Sequence, residues 1–121
     1  MSFIAKNPEH YKGKVVGTGQ CVSFVQKVAN CPVTASWKQG KHVKGATIPE
    51  GTAIATFVSG KYPNLSHGNH AAIYVEQNDE GIVVWDQWKG QSVHKRTLRF
   101  KGMKDKGSKS NNGDWFYVIE S

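Results

Sequence analysis

Apolar residues recur at helical spacing in one stretch of the chain. Cys21, Phe24, Val25 and Val28 fall at i, i+3, i+4 and i+7, with Val22 and Ala29 widening the stripe. That spacing predicts a short helix from Cys21 to Asn30 with one buried face. Thr18-Gly19-Gln20 ahead of it supplies a turn and a candidate N-cap. Asn30-Cys31-Pro32 ends it, because proline cannot continue a helix and drives its predecessor out of the α region. The rest of the pattern is that of strands. Thr52–Val58 follows the turn Pro49-Glu50-Gly51, Ala71–Val75 follows Gly68-Asn69-His70, and Ile82–Trp88 follows the turn Gln77–Gly81. Val93–Phe100 is a fourth strand, 101–113 a polar loop, and Asp114–Glu120 a final strand. One helix followed by a meander of about five strands reads as an α+β fold with an antiparallel sheet.

Composition narrows this further. The 121 residues suit a single domain spanning 1–121, and 13 aromatic residues from Phe3 to Tyr117 argue against disorder. The longest apolar runs fall far short of the roughly 20 residues that span a bilayer, so no membrane insertion is expected. The first ten residues have no apolar h-region, which reads as a chain made in the cytoplasm without a signal peptide. Net charge is +7, and the segment 89–109 carries eight basic residues against one acid, Asp105, which accounts for all of it. Such a segment is either a solvated face or an attraction to a polyanion: nucleic acid, cell wall or an acidic protein. No nucleic-acid-binding motif is visible. A non-catalytic basic domain binding cell wall or polyanion is therefore the alternative to an enzyme.

Two cysteines are too few for a disulfide scaffold. Cys21 and Cys31 lie about 15 Å apart along a helix, beyond the roughly 7 Å a disulfide allows, so Cys31 reads as a packed free thiol. Cys21 in a first helical turn has a case as a nucleophile. The helix N-terminus stabilises its thiolate and offers N–H groups to an oxyanion. The base is sought among five histidines, His10, His42, His67, His70 and His94. His70, opening the run Ala71–Val75 after a glycine-containing loop, is held rigidly yet open to substrate. His67 lies in the polar loop, and His42 and His94, set among basic residues, read as solvated. Asp86 is an acid inside an apolar strand, where a carboxylate needs a partner. A hairpin turning near Asp79 pairs residues whose numbers sum to about 158, which sets His70 opposite Trp88 with Asp86 diagonally adjacent on the same face. A one-residue slip presents Gln87 instead. Zinc is the rival use of His67, His70, Cys21, Cys31 and Asp86, but the spacing contains neither a C-x-x-C pair nor H-E-x-x-H.

With Gly19-Gln20-Cys21, His70-Ala71-Ala72-Ile73-Tyr74 and Trp85-Asp86-Gln87-Trp88 in this order, the chain resembles the NlpC/CHAP group of papain-like cysteine peptidases and amidases. More narrowly it resembles the second group of small type VI secretion amidase effectors. Trp37-Lys38-Gln39-Gly40, Gly51–Phe57 and Ser110-Asn111-Asn112-Gly113 fit the same pattern. The resemblance implies a papain-like fold with the nucleophile helix on the sheet. It implies Cys21 as nucleophile, His70 as base and Asp86 as third member, with Gly19, Gln20 and Gln87 around the oxyanion and substrate. Tyr11 roughly matches an upstream tyrosine that lines some NlpC-type sites. The implied activity is cleavage of an amide bond in peptidoglycan peptide stems, with the D-alanine–meso-diaminopimelate crosslink favoured, and without metal or organic cofactor. The implied partners are the type VI secretion machinery, which delivers such effectors into a rival's periplasm, and a cognate immunity protein.

Overall fold

The helix forms over Cys21–Ala29 (α1) and buries Phe24, Val25 and Ala29, the residues its periodicity selects. Asn30 closes it in the left-handed region (φ 57°, ψ 38°), a conformation asparagine tolerates better than most residues. The computed structural model describes residues 2–65 and 68–121; His67, a candidate base and metal ligand from the sequence, lies outside them. Six strands follow: β1 (Lys38–His42), β2 (Ala53–Thr56), β3 (Ala71–Gln77), β4 (Gly81–Trp88), β5 (Gln91–Arg99) and β6 (Phe116–Glu120). They make one sheet in the order β1-β6-β2-β3-β4-β5, antiparallel throughout.

Two expectations are corrected by the sheet. It has six strands rather than about five, because Lys38–His42 pairs with β6 as an edge strand. Its pattern of exposed and half-buried residues carries no apolar signal, and pairing with β6 alone makes it a strand. The meander holds only for β2 to β5; β6 returns across the sheet to lie between β1 and β2.

β2 is buried along its whole length because the sheet is covered on both faces, which is why its sequence reads as an unbroken apolar run. On one side Ala53, Ala55, Ala71, Ile73 and Ile119 share a cluster with Phe24 and Val25 of α1. On the other, Ile54, Ala72, Ile82, Val84, Leu98 and Phe116 form a second cluster. The β3–β4 hairpin begins in the expected register, Ile73 opposite Trp85 and Tyr74 opposite Val84. A bulge then shifts the pairing by one, to Glu76 opposite Val83. α1 packs on β3 and β4, the strand that His70 immediately precedes and the strand that carries Asp86.

Candidate active site

Cys21 is the first residue of α1, where backbone N–H groups find no acceptor within the helix. His70 stands immediately before β3, and its backbone is clamped by the end of β2. Thr56 N–H donates to His70 O (3.0 Å), and His70 N–H donates to Thr56 Oγ1 (3.0 Å). The imidazole is 5% exposed, and its Nε2 donates to Asp86 Oδ2 at 2.6 Å. That leaves Nδ1 as the nitrogen available to the thiol. Asp86, on β4, is fully buried. Its Oδ2 also accepts from Arg96 Nε (2.8 Å), and its Oδ1 lies 3.0 Å from His94 Nε2 without hydrogen-bond alignment.

The electrostatics follow from these contacts. Burial raises the Cys21 thiol, but hydrogen bonding and charge from His70, the Ala71 N–H and the Tyr62 hydroxyl outweigh it and hold the thiol below its ordinary value. Burial lowers His70, while hydrogen bonds from Asp86 and Cys21 and both their charges raise it to about 9. Burial raises Asp86, yet His70 and Arg96 hold it low. Cys21 and His70 therefore favour the thiolate–imidazolium form, from the lowered Cys21 value up to about pH 9. Since the His70 value is raised, the stability this pairing gives is present below the ordinary histidine range and is lost as pH climbs through about 9. Cys31 behaves oppositely: buried in the core, it is pushed up to about 12 by burial alone.

The chain ahead of Cys21 is braced by Gln87. Its Oε1 accepts from Val16 N–H (2.9 Å), and its Nε2 donates to Val16 O (2.8 Å) and Gln20 O (2.9 Å). Gln87 is fully buried, and its side chain supports the turn ahead of Cys21. Pleating explains this: as Asp86's neighbour, its side chain leaves the strand on the opposite face. The Gly19-Gln20 turn is likewise occupied. Thr18 N–H donates to Ser23 Oγ (3.0 Å), Gly19 N–H to Val16 O (3.0 Å), and Gln20 N–H weakly to Thr18 Oγ1 (3.4 Å). These donors are spent within the turn, whereas the Cys21 N–H at the helix start is not used by α1.

Two histidines read as solvated are not. His94 faces Asp86, and the His42 ring lies against the Tyr117 ring, with Nε2 2.7 Å from Asp114 O. Tyr11 packs edge-on against Phe24. The tyrosine that reaches Cys21 is Tyr62, which sequence reasoning missed together with Asn69, whose Nδ2 donates to the Tyr62 hydroxyl (3.0 Å). Arg96 and His94 were also missed. A hairpin turning at Lys89-Gly90 pairs Trp88 with Gln91 and would set Val93 opposite Asp86; a bulge between Asp86 and Trp88 shifts the pairing by one and brings His94 there. No group of three or more His, Cys, Asp or Glu side chains that could hold a metal ion occurs among the described residues.

A thiolate at a helix start, an imidazole beside it and a carboxylate behind the imidazole form the constellation that acyl transfer through a thiol requires. That defines the class of chemistry open to the site. The chain matches the family "Domesticated amidase effector 2" over residues 1–119 and belongs to it. It is 36% identical over 120 residues to the type VI secretion amidase effector 2 protein of Salmonella typhi, covering 88% of this chain and 89% of that protein. It is 37% identical over 122 residues to domesticated amidase effector 2 of Ixodes scapularis, covering 94% of this chain and 82% of the relative. Among solved structures, Type 6 secretion amidase effector 2 (Tae2) superposes with a TM-score of 0.86 at 34% identity, over 98% of this chain and 94% of that one. The chain is thus an amidase, a hydrolase of an α+β fold, and the non-catalytic binding domain gives way.

Proposed function

We propose that this amidase cleaves an amide bond in the peptide stems of peptidoglycan by Cys-His nucleophilic catalysis, as an antibacterial effector of type VI secretion. The observation that carries the catalytic part is the continuous chain from Cys21 through His70 to Asp86, with the thiol held below and the imidazole above their ordinary values. The Cys21 thiolate attacks the scissile carbonyl carbon, forming a C–S bond and a tetrahedral oxyanion. The Cys21 N–H receives this oxyanion, with the Tyr62 hydroxyl as second donor because the N–H groups of residues 18–20 are spent. The oxyanion collapses, the C–N bond breaks and His70 gives its proton to the leaving amine. Water, deprotonated by His70, then attacks the thioester and releases the acid and the thiolate. Asp86 holds His70 with Nε2 protonated and supports the imidazolium. No metal or organic cofactor enters these steps.

The family resemblance supports the D-alanine–meso-diaminopimelate crosslink as the bond cut. The names of the relatives support delivery by the type VI machinery; the periplasm of a target bacterium as the place of action and a cognate immunity protein as partner rest on the family resemblance. The test is mass spectrometry of purified peptidoglycan digested by wild type and by Cys21→Ala. Wild type is expected to convert crosslinked dimers to monomers, and the folded variant to release nothing. Fragments from Cys21→Ala would sink the nucleophile assignment; release without loss of dimers would move the cut to another stem bond.

A further inference from the structure

Arg96 belongs to the basic segment read as a solvated face, yet its guanidinium is turned onto the site. Nε donates to Asp86 Oδ2 (2.8 Å), Nη1 donates to Asn111 Oδ1 (3.1 Å), and Nη2 lies 3.4 Å from His70 Nε2. Its Cζ sits 4.9 Å from the centre of the half-exposed Trp88 ring. One planar group thus touches the acid on β4, the base before β3, the turn at residues 109–111 and an indole at the surface. His70 Nε2 already donates its proton to Asp86. The Nη2 approach is therefore no hydrogen bond but a fixed cation beside a ring that must become positive during catalysis. The imidazolium alone would neutralise Asp86, so neutralisation does not account for Arg96. What it adds is a second positive charge and an Nε hydrogen bond that anchors Asp86 Oδ2, from a guanidinium itself held by Asn111.

We propose that Arg96 is a positioning residue of this site: its Nε hydrogen bond anchors the Asp86 oxygen that faces His70, and its charge sets the upper pH at which the Cys21–His70 pair holds together. The inference rests on the Cys-His reading of the site. The titratable and charged groups around the pair are Cys21 from α1, Tyr62 ahead of β3, Asp86 from β4, and His94 and Arg96 from β5. From β6 it is the apolar ring of Phe116 that approaches His70. Asp86 pulls the imidazole toward its protonated form, and Arg96 opposes it at short range. Removing the guanidinium charge leaves Asp86 unopposed, so His70 keeps its proton to higher pH. Cys21, on the far side of the ring, responds in the same direction but less.

The experiment follows the rate of Cys21 alkylation by iodoacetamide against pH, with the labelled site identified by mass spectrometry. Cys31, pushed up to about 12 by burial, stays silent across the range. Wild type is expected to show a lower step for thiolate formation and an upper step near 9 for loss of the His70 proton. In Arg96→Gln the upper step is expected to rise by about half to one pH unit, while Arg96→Lys, which keeps the charge but not the Nε hydrogen bond, leaves it in place. An upper step that stays or falls in Arg96→Gln overturns the inference. Should that variant not fold, the Arg96 Nε–H resonance of the wild type tests the same coupling. Movement at the His70 midpoint supports it, and a pH-invariant resonance overturns it. Alkylation needs no peptidoglycan, so a chain that titrates in this way without digesting wall refutes the substrate and leaves Arg96 standing.

Discussion

A tyrosine hydroxyl has one proton to give, and at Tyr62 its direction is set by the neighbours. Asn69 Oδ1 accepts from Leu65 N–H (2.6 Å), which fixes the amide so that Nδ2 faces the Tyr62 oxygen (3.0 Å). With that oxygen already accepting, the proton is free for Cys21, whose acidity it raises. In the proposed mechanism the same hydroxyl follows the charge as it passes from sulfur to the substrate oxygen. Tyr62→Phe is expected to fold, since the ring still stacks on Trp37 at 4.9 Å between centroids. It should lose kcat on the order of a hundredfold with KM little changed, as removal of one oxyanion donor does elsewhere. Steady-state hydrolysis of a soluble crosslinked muropeptide measures both; a rise in KM alone would mean that Tyr62 only binds.

Among the elements, α1 and the β3–β4 hairpin were legible because each carries a periodic signal. The helix has its apolar stripe, and the hairpin has a turn that set Asp86 beside His70 with Gln87 one slip away; the register decides for Asp86. The turn ahead of the helix was less legible, because what holds it is one buried amide from a distant strand. Gln87 spends its whole carboxamide on Val16 and Gln20, and no local pattern announces such a contact. Nor does spacing announce that Gly17, at φ +59°, lies so close to Ser23 Oγ that a Cβ there would collide with it. Gln87→Ala leaves the buried Val16 N–H without a partner, while Val16 O keeps Gly19 N–H and Gln20 O keeps Phe24 N–H, and it is expected to cost about 1–3 kcal/mol, read from the urea midpoint. Its effect on Cys21 alkylation should exceed that of an equally destabilising change in the second core cluster, such as Leu98→Ala. Equal effects would show that the brace matters only for stability.

For the whole molecule, net charge was legible but its arrangement was not. Of the eight cations in segment 89–109, Lys95 lies over Trp85, Arg96 over Trp88 and Lys109 over Trp115, while Lys89, Arg99, Lys101, Lys104 and Lys106 are exposed. That leaves a smaller but real basic surface to attract an anionic wall. Hydrolysis of intact wall is expected to fall several-fold as salt rises from about 0.01 to about 0.3 M, and hydrolysis of small soluble fragments to change little. The double variant Lys101→Glu, Lys104→Glu should flatten that slope; identical slopes for wild type and variant would show that this surface plays no part in wall attack. Chain order adds a consequence of its own. β6 is the last of the six strands in chain order, yet it fills the gap between β1 and β2 and sets Phe116 against His70. Until residues 116–120 are in place the sheet is open and the base lacks one wall, so docking of this strand is the step that completes the site.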